Sequence, residues 1–269
     1  MNSLNFFKYI PLVFLLVAYT PDVCAQRRKK RLSRQEMSFP IEPDVLAAKP
    51  RIEKRMRPAM QISAIQSFQY EPWREGIDVS HYQGFIDWDC VAQCNQISYV
   101  YLKATEGNKL VDKQYRRNIS EARRVGLRVG SYHFYRPNVP WREQFRHLKE
   151  HVKGREQDLL PIIDIERRGR VSEARFIRDL RAFLQQVEKH YGKKPVLYTY
   201  QNFYNRYLAN CFGDYHWMIA KYQDESPVLT DGTRYTMWQY TESGSLPGIE
   251  GPVDRSRLVG DFELQHVVM

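Results

Sequence analysis

The sequence predicts an α/β fold: an irregular TIM-like barrel of five β/α units followed by three β-strands. Three observations carry this. From Trp73 onward, short apolar runs of strand length recur eight times along the 269-residue chain. Segments of helical spacing separate the first six runs. After the sixth, loops rich in Gly, Pro, Ser, Thr and Asp take the place of helices. An open doubly wound sheet is the alternative, weakened because no glycine-rich dinucleotide loop follows the first strand.

In chain order, Ile77–Val79 reads as the first strand and Trp88–Cys94 as a short helix. Ser98–Ala104 (SYVYLKA) is the second strand. Asp112 is placed to cap a helix through Tyr115, Ile119 and Ala122, stopped by Gly126. Leu127–Tyr135 is the third strand, with a helix over Trp141–Val152 behind it. Leu160–Glu166 is the fourth. Ser172 then caps a longer helix in which Phe176, Leu180, Phe183, Leu184 and Val187 recur at helical spacing, and Gly192 supplies the stop. Pro195–Tyr200 is the fifth strand, followed by a helix over Gln201–Leu208. Trp217–Tyr222, Tyr235–Tyr240 and a short piece around Val253 complete the eight, joined by loops over 223–234 and 241–251.

Ahead of this domain (73–269) stand two segments of different composition. Residues 1–25 read as a signal peptide: Lys8, an apolar stretch Tyr9–Tyr19, then Val23-Cys24-Ala25 as a small-residue cleavage site. The product is expected to be secreted or periplasmic. A lipid carried on Cys24 and an uncleaved membrane anchor are the alternatives, the second because Arg27–Arg31 (RRKKR) opposes translocation. Residues 26–72 read as a basic linker, expected to be flexible. The net charge is +10, and residues 1–72 hold 12 basic against 6 acidic groups. Such a tail could touch an anionic cell-surface polymer, but charge alone selects no partner, and no nucleic acid is expected. With Cys24 removed, Cys90, Cys94 and Cys211 allow at most one disulfide.

In a barrel of this kind the C-terminal strand ends carry the chemistry. Here they hold Asp78; Lys103 and Glu106; Tyr132 and His133; Asp164 and Glu166; Tyr198 and Tyr200; Trp217; Trp238 and Gln239; and Asp254. Acids and aromatic rings thus converge on one mouth. The sharpest local signal is Pro161-Ile162-Ile163-Asp164-Ile165-Glu166. Residues two apart on a strand share a face about 7 Å apart, so Asp164 and Glu166 point inward and Ile163 and Ile165 toward the helices. Two carboxylates held together resist double ionisation, and one stays protonated to higher pH. Glycosidic cleavage needs that pairing: an acid for the leaving oxygen and a carboxylate for the positive charge. An Asp-x-Glu by itself is weak, since such pairs also bind metals.

The blocks around these acids give more. Gly76-Ile77-Asp78-Val79-Ser80-His81-Tyr82-Gln83-Gly84 with Ile86-Asp87-Trp88 resembles the opening of glycoside hydrolase family 25, the Chalaropsis-type lysozymes. Lys103-Ala104-Thr105-Glu106-Gly107 and Gly130-Ser131-Tyr132-His133-Phe134 are similar to its next blocks. Asp164-Ile165-Glu166, Tyr198-Thr199, Trp217–Tyr222, Trp238-Gln239-Tyr240 and Gly248–Asp254 follow in the family's order. The resemblance implies a 1,4-β-N-acetylmuramidase acting on peptidoglycan glycan strands, without a cofactor and as a monomer. It implies Glu166 as general acid, Asp164 beside it, and Asp78 and Asp254 as flanking catalytic carboxylates. It also places Tyr132, Tyr198, Trp217 and Gln239 along the sugar groove; their neighbours at the strand ends, Lys103, Glu106, Phe134 and Trp238, are further candidates for substrate binding. One departure stands out: the family's Asp-x-Asn is Asp254-Arg255-Ser256 here, which puts a support of Asp254 in doubt.

Other readings stay open. The domain could bind cell wall without turnover, or hydrolyse another N-acetylated glycan such as chitin. Lys103 and Glu106 could be a rim ion pair only. His81 and His133 flank strand ends, but no metal site is expected from them. His147, His151 and His190 are expected on exposed helix faces.

Overall fold

A computed structural model describes residues 72–269. The expected signal peptide and all of the basic linker but Pro72 lie outside the described residues. The strands are β1 (Glu75–Val79), β2 (Tyr99–Glu106), β3 (Leu110–Val111), β4 (Arg128–Phe134), β5 (Ile162–Asp164), β6 (Val196–Tyr200), β7 (Trp217–Ala220), β8 (Met237–Gly244) and β9 (Val253–Leu258). The helices are α1 (Trp88–Gln93), α2 (Tyr115–Arg124), α3 (Trp141–His151), α4 (Glu173–Tyr191) and the short α5 (Gln201–Phe203), which runs on into a π turn over Tyr204–Leu208.

Eight strands close into a ring. Neighbours from β1 through β8 pair in parallel, with β3 set aside. β9 closes the ring antiparallel to both β8 and β1. No helix lies between β7 and β8 or between β8 and β9; the antiparallel β8–β9 pair needs no crossover helix, and the parallel β7–β8 pair is crossed by loop 221–236. β3, which the sequence did not predict, forms a hairpin on the end of β2. Among the described residues no helix is long and apolar enough to cross a membrane.

The strands of the ring carry apolar residues on both faces, as a barrel requires. Ile77, Val100, Leu102, Val129, Ile163, Leu197 and Ile219 face outward and pack with the helices. Tyr99, Tyr101, Ile162, Val196, Met218, Met237 and Leu258 fill the interior. The two interior tyrosines fit because Gly76 and Gly130 lie across from them. A Cβ at either glycine would overlap the Tyr99 or Tyr101 ring.

α4 follows its sequence pattern closely. The Ser172 side chain accepts from Arg175 N, Gly192 ends the helix in the left-handed region, and the five expected apolar residues are its buried ones. α2 departs from it. Its N-cap is Gln114, which makes no side-chain cap bond. Asp112 is held by the β3 hairpin, its own N–H bonding Ala104 O. Its carboxylate instead takes hydrogen bonds from Gln114 N (2.9 Å) and from His81 N (2.9 Å).

Candidate active site

Strand parity decides which side chains reach the mouth. Asp78 lies on the inner face of β1 and Asp254 on that of β9, where the two are direct cross-strand partners. Asp164 ends β5 beside Phe134 of β4 and Tyr198 of β6. The regular strand stops at Asp164, shorter than the sequence predicts, but Ile165 N still bonds Tyr198 O. Ile163 and Ile165 are both fully buried in the outer layer, so the alternation holds. Asp164 is buried inside, and Glu166 follows half-buried at the mouth.

One amide organises this floor. The Gln239 Oε1 accepts from the Tyr198 hydroxyl (2.8 Å) and the Tyr222 hydroxyl (2.7 Å), and its Nε2 donates to Asp78 Oδ2 (2.7 Å). Gln239 is itself buried. Its amide is therefore committed on both ends, and Asp78 is aimed by a network rather than by its own rotamer. Tyr132 stands among the acids. Burial first, and then the charges of Asp78, Asp164, Asp254 and Asp112, push its phenol well above the usual tyrosine range. Strand pairing sets Asp78 directly against Asp254 and ends β5 at Asp164, on the same inner face.

Beside them lies a compact ion cluster. Lys103 Nζ donates to Glu106 Oε2 (2.7 Å), and Arg136 Nε donates to Glu106 Oε1 (3.0 Å). Both cations sit over the Phe134 ring, at 5.3 and 4.4 Å from its centre. Burial works to raise the Glu106 carboxyl, but the hydrogen bonds and charges of Lys103 and Arg136 outweigh it and hold it below the ordinary value. A bulge between Lys103 and Thr105 brings Glu106 to this side. Without it the strict alternation would turn Glu106 toward the helices.

The structure thus brings together Asp78, Asp164, Asp254, Tyr132, Tyr198 and Gln239, with Glu166, Lys103 and Glu106 at the rim and Phe134 beneath them. Two expected groove residues are corrected. Trp217 is fully buried on the outer face of β7, its indole N–H donating to Phe212 O (3.1 Å), its ring edge-on to Tyr204. Trp238 also faces outward, donating to Lys221 O (2.8 Å) beneath the Arg257 guanidinium. Both lie one residue out of phase with the mouth. His133 is likewise outside, between Thr105 (2.8 Å) and Gln144 (3.3 Å) and stacked on Phe183. Burial pushes its imidazole down to about 3, so it is neutral.

The sequence reading missed Tyr222 and Arg136 as parts of the site. Tyr222 continues the inward phase of Ala220 and could have been found by that count. Arg136 is set by Gln144, which binds its N–H and C=O from α3 (2.8 and 2.9 Å). Ser256, at the departure from Asp-x-Asn, pairs with the Tyr99 hydroxyl (3.1 Å) inside the barrel. The three described cysteines are free thiols and half-buried, within the limit of one disulfide that their number set. One further expectation changes. His147 is buried, not exposed; it bonds Leu110 O (3.0 Å) and stands with Glu150 and His151 on α3, a His-x-x-x-His spacing overlooked in the sequence.

A closed α/β barrel with acids and phenols gathered at the C-terminal mouth is suited to glycoside hydrolysis. The chain belongs to glycosyl hydrolases family 25, whose model matches residues 77–249, and this family match shows that it is a glycoside hydrolase. Strand β9 with Asp254 lies beyond that stretch and completes the site only through the fold. Lysozyme M1 of Streptomyces globisporus is 30% identical over 204 residues, covering 69% of this chain and 68% of that protein. Uncharacterized protein YegX of Escherichia coli K12 is 37% identical over 192 residues, 70% of each. A family 25 glycosyl hydrolase structure from Bacillus anthracis superposes with a TM-score of 0.66 at 30% identity. It covers 76% of this chain and 96% of that one.

Proposed function

We propose that this enzyme is a muramidase, hydrolysing the β-1,4 bonds between N-acetylmuramic acid and N-acetylglucosamine in bacterial peptidoglycan. The observation that carries the reading is the convergence of Asp78, Asp164 and Asp254 around Tyr132, with Glu166 at the open end of the same strand face. Glu166 gives its proton to the leaving glycosidic oxygen as the C–O bond breaks. The carbonyl oxygen of the substrate's own 2-acetamido group closes on the anomeric carbon from the other side, and Asp164 accepts a hydrogen bond from that group's N–H, which stays on nitrogen. Water then opens the cyclic intermediate, giving its proton back to Glu166, and configuration is retained. Asp78 and Asp254 oppose the positive charge that builds on the sugar ring. Lys103, Glu106, Tyr132, Phe134, Tyr198 and Gln239 line or support the groove. The protein works as a monomer outside the cytoplasm on glycan strands.

Mass spectrometry of fragments released from purified peptidoglycan tests this, with chitin assayed alongside. Fragments ending in reducing N-acetylmuramic acid are expected, with chitin left intact. Fragments ending in reducing N-acetylglucosamine would reassign the bond. Cleavage of chitin alone would reassign the substrate, and binding without release would reduce the domain to a wall-binding module.

Gln239 offers a sharper test of the floor. Gln239→Met keeps the volume but removes the acceptor of two phenols and the donor to Asp78. An orphaned buried phenol costs about 1–3 kcal/mol, and a misaimed Asp78 is expected to lower kcat/KM about 10- to 100-fold. Thermal melting and peptidoglycan turnover check the two parts. Wild-type turnover in this variant would show that Asp78 does not depend on the network.

A further inference from the structure

Seven large apolar side chains are exposed among the described residues, and four of them sit on two adjoining loops. Tyr82 (76% exposed) and Phe85 (71%) belong to the loop after β1; Leu110 and Val111 form β3. The loops are joined where His81 Nδ1 meets Asp112 Oδ2 at 2.6 Å. Clusters of exposed apolar surface mark binding sites more often than accident.

The loop after β1 is also rigidly held. Ser80 N donates to Gln83 Oε1 (2.9 Å), and Gln83 Nε2 donates to Pro252 O (3.3 Å). The Arg117 guanidinium lies 3.8 Å from the centre of the Phe85 ring and donates to Ile86 O. Such a loop does not leave two rings in water for want of structure; it presents them. It begins two residues past Asp78, and four residues span at most about 14 Å. Tyr82 therefore lies within that reach of the mouth. His81 Nδ1 is engaged by the buried Asp112 carboxylate, so Nε2 is the ring nitrogen left for a ligand, and among the described residues no group bonds it.

We propose that His81, Tyr82 and Phe85 form a distal platform for a sugar of the same glycan chain, outside the units that flank the cleaved bond. Sugar rings have apolar C–H faces and hydroxyl edges; the exposed rings take the faces and His81 Nε2 hydrogen-bonds a hydroxyl, which can either donate or accept. A chain leaving the mouth over β1 crosses this loop. That continuity with the cleft is why a glycan is assigned here and not a protein partner. The proposal rests on the reading of the mouth as a glycan-cleaving site.

The test compares wild type with Tyr82→Ala, Phe85→Ala and the double variant on two substrates. One is peptide-free glycan strands from amidase-treated peptidoglycan; the other is a short aryl glycoside that fills only the units at the bond. The ratio of kcat/KM on strands to that on the short substrate is expected to fall about 3- to 10-fold per ring. Tyr82→Trp should restore it. An unchanged ratio in the double variant overturns the platform while leaving the muramidase reading intact. Equal loss on both substrates also overturns it, since the rings would then serve the reacting units or the fold. If wild type cleaves nothing, strand binding by calorimetry still decides: weakened binding in the double variant supports the platform, and unchanged binding overturns it. If only peptide-bearing strands distinguish the variants, the occupant is peptide and the glycan assignment fails.

Discussion

Glu166→Gln is expected to lower turnover on peptidoglycan by about 10²- to 10⁴-fold, the usual worth of general acid catalysis. The substitution keeps size and hydrogen bonding but removes the proton that the alkoxide leaving group needs. Glu166 is half-buried two residues past the end of β5, and the glutamine is isosteric with it. Folding and substrate binding should therefore survive. A substrate with an activated leaving group, which departs without a proton, should be cleaved with a much smaller loss. Equal impairment on both substrates would remove Glu166 from the acid's role and turn attention to Asp164. Parallel kinetics on the two substrates with one preparation of each protein make the comparison.

Asp78→Asn is the second large effect. Asp78 and Asp254 are cross-strand partners of like charge, and both bear on Tyr132. A fold built for stability alone would not place them so. Removing one charge relieves repulsion, and the Asn oxygen can still accept from Gln239. Stability should hold or rise, with the melting temperature within about 3 °C of wild type or above it. Turnover should fall at least about 10²-fold, because the charge opposing the developing cation is gone. Loss of activity with stability kept is the mark of a residue retained for function. A variant that is equally active would take Asp78 out of the site. One that unfolds would make it structural.

Trp217 and Trp238 show where sequence reading stops short. Alternation identifies a strand, but in a barrel both faces are buried, so Trp217-Met218-Ile219-Ala220 has no polar phase to say which side is inner. The register of neighbouring strands settles it: Met218 and Ala220 face the interior, so Tyr222 reaches Gln239 while Trp217 joins the helices. Asp164 was legible because Ile163 and Ile165 bracket it with apolar residues that only the outer layer can take. Glu106 was placed at the rim by its distance from a strand end, but what turns it inward is a bulge that leaves no mark on the composition.

From the sequence alone came the barrel, the order of its elements, the capped helix from Ser172 to Gly192 and the candidate acids. These follow from local rules: side-chain period, caps, and the breaking power of glycine and proline. The tertiary structure alone decided the rest. It pairs Asp78 with Asp254 across 176 positions of chain by closing the ring with an antiparallel strand. It joins Tyr198, Tyr222 and Asp78 through one amide, and it redirects Asp112 from capping a helix to holding His81. Those arrangements depend on which strands become neighbours and in what register, and long-range pairing of that kind is a property of the closed sheet, not of any segment within it.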